Sequence, residues 1–219
     1  QMTPGTLLSL GVRHDDYSDF GSTTNPRLGL IWQAHKDITF KFFAGSAFRA
    51  PDIIQTRNRN NPVRTGNPSL KPETIDTLET GLNLDYMVND NLIVSSSFYR
   101  YHAKDIVAYA FDDINGGEKA ENIGEQKGQG GELWLKWKPK KNVTIDLNYS
   151  FLSAKDKDDN NIVGIPSKMA YMNMNWHIND DWRWNVSGKW IADRTRAILD
   201  IRPKIKDYGL ISSKIEHNG

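Results

Sequence analysis

The sequence predicts an all-β fold, an antiparallel up-and-down transmembrane β-barrel. Three observations carry that prediction: strict two-residue periodicity, connections that alternate short and long, and tryptophans gathered beside the short connections. Of the 219 residues, 38% are hydrophobic, and mean hydropathy is −0.61. No window approaches the roughly 18 continuous apolar residues of a membrane helix. Barrel strands escape that test, because lipid-facing apolar residues alternate with lumen-facing polar ones and average out as hydrophilic.

Periodicity is clearest over residues 78–86. Leu78, Thr80, Leu82, Leu84 and Tyr86 make one face, and Glu79, Gly81, Asn83 and Asp85 the other. Residues 143–151 repeat it, with Val143, Ile145, Leu147, Tyr149 and Phe151 opposite Thr144, Asp146, Asn148 and Ser150. A helix places apolar residues three and four apart and does not produce this pattern. The same alternation, with more noise, runs over 8–13, 28–32, 38–45, 92–101, 131–137, 170–177, 182–190 and 208–215, so about ten strands are expected.

Tight polar turns are expected at 35–37, 88–90, 139–142 and 179–181, and longer loops at 15–25, 49–72, 105–129, 154–167 and 193–206. No two long loops are adjacent, as an up-and-down barrel requires when every second connection emerges on the same side. Trp32, Tyr86, Trp137, Trp176 and Trp182 each lie within a few residues of a short turn. They match an interfacial girdle, although a soluble β protein with aromatic core residues would show similar spacing. The register itself favours lipid. Shifting Glu79 or Asp146 to the outer face would put a charge in hydrocarbon, which costs up to about 2–4 kcal/mol for basic residues and less for acids.

The composition excludes several chemistries. Cysteine is absent, so there is no disulfide framework or thiolate site. The net charge of +1 does not give the strongly basic face that nucleic acid requires. His14, His35, His102, His177 and His217 have no metal-ligand spacing. Residues 156–161 partly imitate a calcium loop but lack the glycine at the sixth position and the glutamate at the twelfth. His14 beside Asp15 and Asp16 suggests a barrel protease, yet adjacent strand residues point to opposite faces. Neither an enzyme nor a cofactor is expected, and no metal site. No signal peptide opens the sequence, so an internal piece of a longer chain is expected.

Charged residues on the inner faces form a candidate lumen lining: Arg27, Lys41, Glu79, Asp85, Glu132, Asp146 and Arg183, together with Arg13, Lys136 and Lys189. Both signs are present. They suit pairing with a plug, or ion selection in an open porin.

Ala47-Phe48-Arg49-Ala50-Pro51 followed by Gly66-Asn67-Pro68-Ser69-Leu70-Lys71-Pro72-Glu73 resembles the paired boxes of TonB-dependent outer-membrane receptors. GVRHDDYSDFG from Gly11, NPRLGLIW from Asn25, GELWLKWKP from Gly131 and LNYSFLSAKD from Leu147 extend the resemblance over most of the chain. It implies a barrel of about 22 strands in the outer membrane of a Gram-negative bacterium, of which residues 1–219 would be a C-terminal part lacking the plug domain. It also implies import of a scarce iron complex, energised by TonB through that missing plug, with no covalent chemistry.

Between the boxes lie Arg57, Asn58, Arg59, Asn60, Asn61 and Arg64; counting Arg49, four arginines meet one aspartate, Asp52. Arginine's fixed fork of donors suits carboxylate, catecholate or phosphate oxygens. An anionic ferric siderophore is therefore the expected partner of Arg49, Arg57, Asn58, Arg59, Asn60 and Arg64, with pairing to lipopolysaccharide or to acidic loop neighbours as the plainer role. Haem receptors of the family are implied to carry a histidine between the boxes, and here there is none. Haem and cobalamin remain alternatives, as does a passive porin-like barrel.

Overall fold

The computed structural model describes residues 5–84, 91–112, 116–197 and 200–218, with 81–84 as backbone alone. Ten strands form one antiparallel meander in chain order. They are β1 (Thr6–Tyr17), β2 (Gly21–His35), β3 (Ile38–Arg49), β5 (Glu73–Leu84), β6 (Leu92–Phe111), β7 (Glu118–Lys140), β8 (Val143–Asp156), β9 (Pro166–His177), β10 (Trp182–Arg194) and β11 (Tyr208–His217). A short helix, α1 (Ile53–Arg57), and a two-residue strand, β4 (Arg64–Thr65), lie between β3 and β5; β4 runs parallel to β7. Among the described residues no helix is long and apolar enough to cross a membrane. That bears only on helices, since a barrel crosses with strands.

All ten expected strands are present, and most run further toward the long-loop end than the periodicity shows. The loop expected at 15–25 is instead a hairpin in which Tyr17 pairs with Gly21 across three turn residues. Gly21 sits at φ +86°, in the left-handed region that closes such a turn. The loop expected at 105–129 is likewise mostly strand, with β6 and β7 paired out to Phe111 and Glu118. Backbone pairing extends where side chains no longer alternate, because the ladder needs only N–H and C=O groups. The turn expected at 88–90 lies outside the described residues.

The register sorts side chains into two faces. Across one row the partners are Leu8, Leu30, Phe42, Thr80, Phe98, Gly131 and Phe151. This is the apolar face. Beside the short turns Trp32 stacks on Phe40 with centroids 5.2 Å apart, Trp176 meets Trp184 at 6.1 Å, and Trp182 meets His217 at 4.5 Å. Trp137 stands opposite Leu92 on the same face, while Tyr86 lies outside the described residues.

The sheet is a single layer, so its buried apolar side chains do not form a slab between layers. Leu70, Ala120, Ala154, Ile191 and Ala192 are buried at the long-loop end. Loop segments fold over the strand ends there. On the polar face, Gly130 and Gly128 stand opposite Tyr99 and Tyr101, whose rings lie across them. β1 and β11 are the outermost strands of the path, and they do not pair with each other among the described residues.

Candidate ligand-facing loop and polar face

The loop between β3 and β5 is closed at its base by the two boxes. Arg49, the last residue of β3, stands directly opposite Glu73, the first of β5. Its Nη2 donates to Glu73 Oε1 at 2.5 Å. The same carboxylate oxygen accepts from the Val107 backbone N–H at 2.9 Å, where β6 bulges away from the ladder. One acid thus satisfies an arginine and a stranded amide.

Pro51 leads into α1, whose N-cap is Asp52. Asp52 Oδ1 accepts from Gln55 N at 2.7 Å, and Gln55 Oε1 accepts from Asp52 N at 3.0 Å, a complete capping box. The helix C-terminus is held by the second box: Gly66 N donates to Asn58 O at 2.8 Å, and Asn67 N donates to Gln55 O at 2.7 Å. A Cβ on Gly66 would sit 2.7 Å from Asn58 N and 2.9 Å from Arg57 N. Only glycine lets the chains approach this closely. Further along, Leu70 is buried, and Asn122 of β7 clasps Lys71 from both sides. Its Oδ1 accepts from Lys71 N at 2.8 Å, while its Nδ2 donates to Lys71 O at 2.9 Å and Asp105 O at 2.7 Å.

The loop tip spans 59–63. Asn60 turns the chain at φ +59°. Asn61 Oδ1 then accepts from Val63 N at 2.9 Å and Arg64 N at 3.1 Å, an Asx turn. Beyond it Arg64 Nε donates to Glu118 Oε2 at 2.8 Å, and its guanidinium lies 4.8 Å from the Tyr109 ring centroid. Hydrogen bonding to Glu118, with its charge, raises the Arg64 pKa further above the ordinary arginine value.

The six candidate ligand residues therefore occupy different positions. Arg49 and Arg64 are tied to Glu73 and Glu118, and Arg57 forms an ion pair with Asp19 of the β1–β2 turn at 3.7 Å. Asn58 donates from Nδ2 to Arg64 O at 2.7 Å and braces the loop from within. Arg59 and Asn60 are exposed at the tip, and no hydrogen bond or ion pair reaches the Arg59 side chain among the described residues. The bracing residues Glu73, Glu118, Asn122 and Asp19 were not singled out from sequence. Glu73 was legible, since it ends the second box; Glu118 and Asn122 lie some fifty residues away, and nothing in their local sequence marks them.

The polar face gathers the charged candidates. Arg27 stands opposite Gly45, Glu79 opposite Phe43 and Tyr99, Lys136 opposite Asp146, Glu132 opposite Ser150, and Arg183 opposite Glu216. Lys41 is on the same face, two residues before Phe43. Asp85 lies outside the described residues.

The loop 195–207 carries a second group of charges. Asp200 accepts from Arg202 Nη2 at 2.6 Å and Arg196 Nη1 at 3.2 Å, and its carboxyl is held down at about 2 by Arg202 first.

The family model described as TonB dependent receptor-like, beta-barrel matches residues 1–215. Among curated proteins, the ferric enterobactin receptor PirA of Pseudomonas aeruginosa is 25% identical over 82% of this chain and 27% of its own length. An iron-regulated outer membrane virulence protein of Vibrio cholerae is 24% identical over 79% of this chain and 29% of its own. Among solved structures, the ferric enterobactin receptor PfeA of P. aeruginosa, in complex with enterobactin, superposes with a TM-score of 0.83 at 19% identity, covering 98% of this chain and 36% of that one. The siderophore receptor PirA from Acinetobacter baumannii gives 0.77 at 20% identity, over 97% and 37%. The chain thus spans under a third of the length of these curated relatives.

Proposed function

Because the chain belongs to the TonB-dependent receptor-like β-barrel family, we propose that it is a segment of an outer-membrane receptor that imports a ferric siderophore. The apolar face lies in lipid, and the polar face lines the lumen. The outermost strands β1 and β11 pair with further strands of a longer polypeptide, since an unpaired strand edge is not tolerated in hydrocarbon.

Import needs no covalent step. The loop between β3 and β5 captures the iron complex outside, a plug inside the barrel rearranges when TonB pulls on it, and the complex passes inward. Arg27, Lys41, Glu79, Glu132, Asp146 and Arg183, with both signs interspersed, pair with the plug.

The observation that carries the ligand assignment is the loop tip. The other loop arginines are engaged by acids, whereas Arg59 is exposed beside Asn60 with no acid partner among the described residues. A free guanidinium on a braced loop suits an anionic, oxygen-rich chelate. Relatives named as ferric enterobactin receptors support the same reading.

Fluorescence-quench titration of the intact receptor with a ferric catecholate, haemin and cobalamin tests it, and the ferric catecholate is expected to bind tightest. Haemin binding tightest would overturn the siderophore assignment. Uptake that persists after the proton gradient is collapsed would overturn energised import in favour of a passive barrel.

A further inference from the structure

The polar face carries two aromatic side chains that import, as described, does not use. Trp134 of β7 lies between Glu132 and Lys136 in the alternation, and Tyr171 of β9 is 45% exposed. Both belong to one cross-strand row, in which Trp134 stands opposite Asn148 and Asn148 stands opposite Tyr171. Two strand spacings put the two aromatic positions about 10 Å apart, with Asn148 between them.

Other rings of this face cover glycines. Phe43 stands opposite Gly29, Tyr99 opposite Gly130 and Tyr101 opposite Gly128. A Cβ on those glycines would meet ring atoms at 3.4, 2.7 and 2.2 Å, so each ring lies across bare backbone. Trp134 has Ser95 and Asn148 as its neighbours, and Tyr171 has Asn148 and Lys189. Neither has a glycine to cover. The row is thus a slot with a ring at each side and an amide at its floor.

The polar groups of the floor are uncommitted. Asn148, and Ser150 in the adjacent row, make no side-chain hydrogen bond among the described residues. Nearer the short turns, by contrast, Asn185 Nδ2 donates to Asn173 Oδ1 at 2.8 Å and to Asn175 Oδ1 at 2.7 Å, so that asparagine cluster is bonded internally. Charge around the slot cancels. Glu132 and Asp146 are matched by Lys136 and Lys189, whereas the β3–β5 loop with Arg49 sets four arginines against one aspartate. A neutral ligand suits the slot, as an anion suits the loop.

We propose that this slot is a saccharide site. One pyranose ring sits between Trp134 and Tyr171 with its apolar C–H faces against the two rings. Two neighbouring hydroxyls pair with the Asn148 amide, whose oxygen accepts and whose nitrogen donates, and Ser150 takes a third. Aromatic walls around a few placed polar groups are the usual make-up of a small-molecule site. The proposal rests on the polar face lining the lumen and is independent of the siderophore assignment.

Saturation-transfer NMR of the full-length receptor with maltotriose, in a sugar-free detergent, tests it. Transfer to the ring protons of the sugar is expected with the wild type. Asn148→Leu, which keeps the side-chain bulk and removes the amide, should weaken maltotriose binding at least tenfold. Trp134→Ala should do the same, and heat-modifiable gel mobility checks that each variant assembles. On the wild type, which needs no variant to fold, glucose should displace maltotriose and 2,3-dihydroxybenzoate should not. Absence of transfer to maltotriose, undiminished binding by both variants, or displacement by 2,3-dihydroxybenzoate overturns the proposal. A receptor that binds ferric siderophore but no maltotriose overturns this proposal alone, and one that binds maltotriose but no ferric siderophore overturns the siderophore assignment alone.

Discussion

Arg49 and Glu73, twenty-four residues apart, face each other as the last and first ladder partners of β3 and β5, joined at 2.5 Å. They are the Arg of the first box and the Glu of the second, so the two motifs are the halves of one clasp. Glu73 also holds the Val107 amide. Losing it unpins β6 as well as the loop.

Glu73→Ala is therefore expected to speed tryptic cleavage after Arg57 and Arg59 by roughly tenfold, equivalent to about 1.4 kcal/mol of loop stability. Glu73→Gln keeps an acceptor for Val107 and loses only the charge, so it should fall between. Limited proteolysis of the assembled receptor reads both. Unchanged cleavage in Glu73→Ala would show that the loop is held elsewhere.

Gly66 and Gly11 make a controlled pair. A methyl on Gly66 meets backbone of α1 at 2.7–2.9 Å, whereas nothing lies within 4 Å of one on Gly11. Backbone cannot swing aside as a side chain can, so Gly66→Ala is expected to destabilise the loop by about 1–3 kcal/mol. Gly11→Ala should be near neutral. Hydrogen exchange at Asn58 and Asn67 distinguishes them, and equal protection in the two variants would refute the close-approach role of Gly66.

The strands were legible where one face is apolar. Residues 143–151 alternate without a break, and β8 begins at Val143 as expected. β7 was legible only from Gly131, because 118–127 reads EKAENIGEQK, polar on both faces. A ladder that is polar on both faces carries no two-residue alternation to read. The helix α1 is too short for periodicity to reveal, yet Asp52 with Gln55 three residues later is a capping signal that local sequence does carry. The fate of the loop arginines was not legible. It depends on Glu118 and Asp19, which only the folded register brings near.

Asp200 sets a pH limit on the loop 195–207. Its carboxyl is depressed from 3.8 to about 2 by Arg202 and Arg196. A depressed acid contributes order that is fully present above its ordinary value and is lost as pH falls through the lowered one. A spin label on Ile201→Cys, at a site 99% exposed, should keep its mobility from pH 7 to about 4 and loosen between about 4 and 2. In an Asp200→Asn background it should be mobile throughout. Loosening that begins near pH 6 would point to another group.

Arg59 and Arg64 separate capture from architecture. Arg64 is fixed by Glu118 and by the Tyr109 ring, while Arg59 is exposed at the tip. If Arg59 meets the anionic chelate, its removal costs one charge-assisted contact, about 1.5–3 kcal/mol, or ten- to hundredfold in Kd. Arg59→Gln should therefore weaken ferric catecholate binding by that factor and leave cleavage after Arg57 unchanged. Arg64→Gln should weaken binding and also loosen the loop, because Glu118 and the β4–β7 pairing lose their anchor. Titration and proteolysis run on the same preparations give both readouts. Normal binding by Arg59→Gln would move the ligand contact off the tip, to the polar face or the plug.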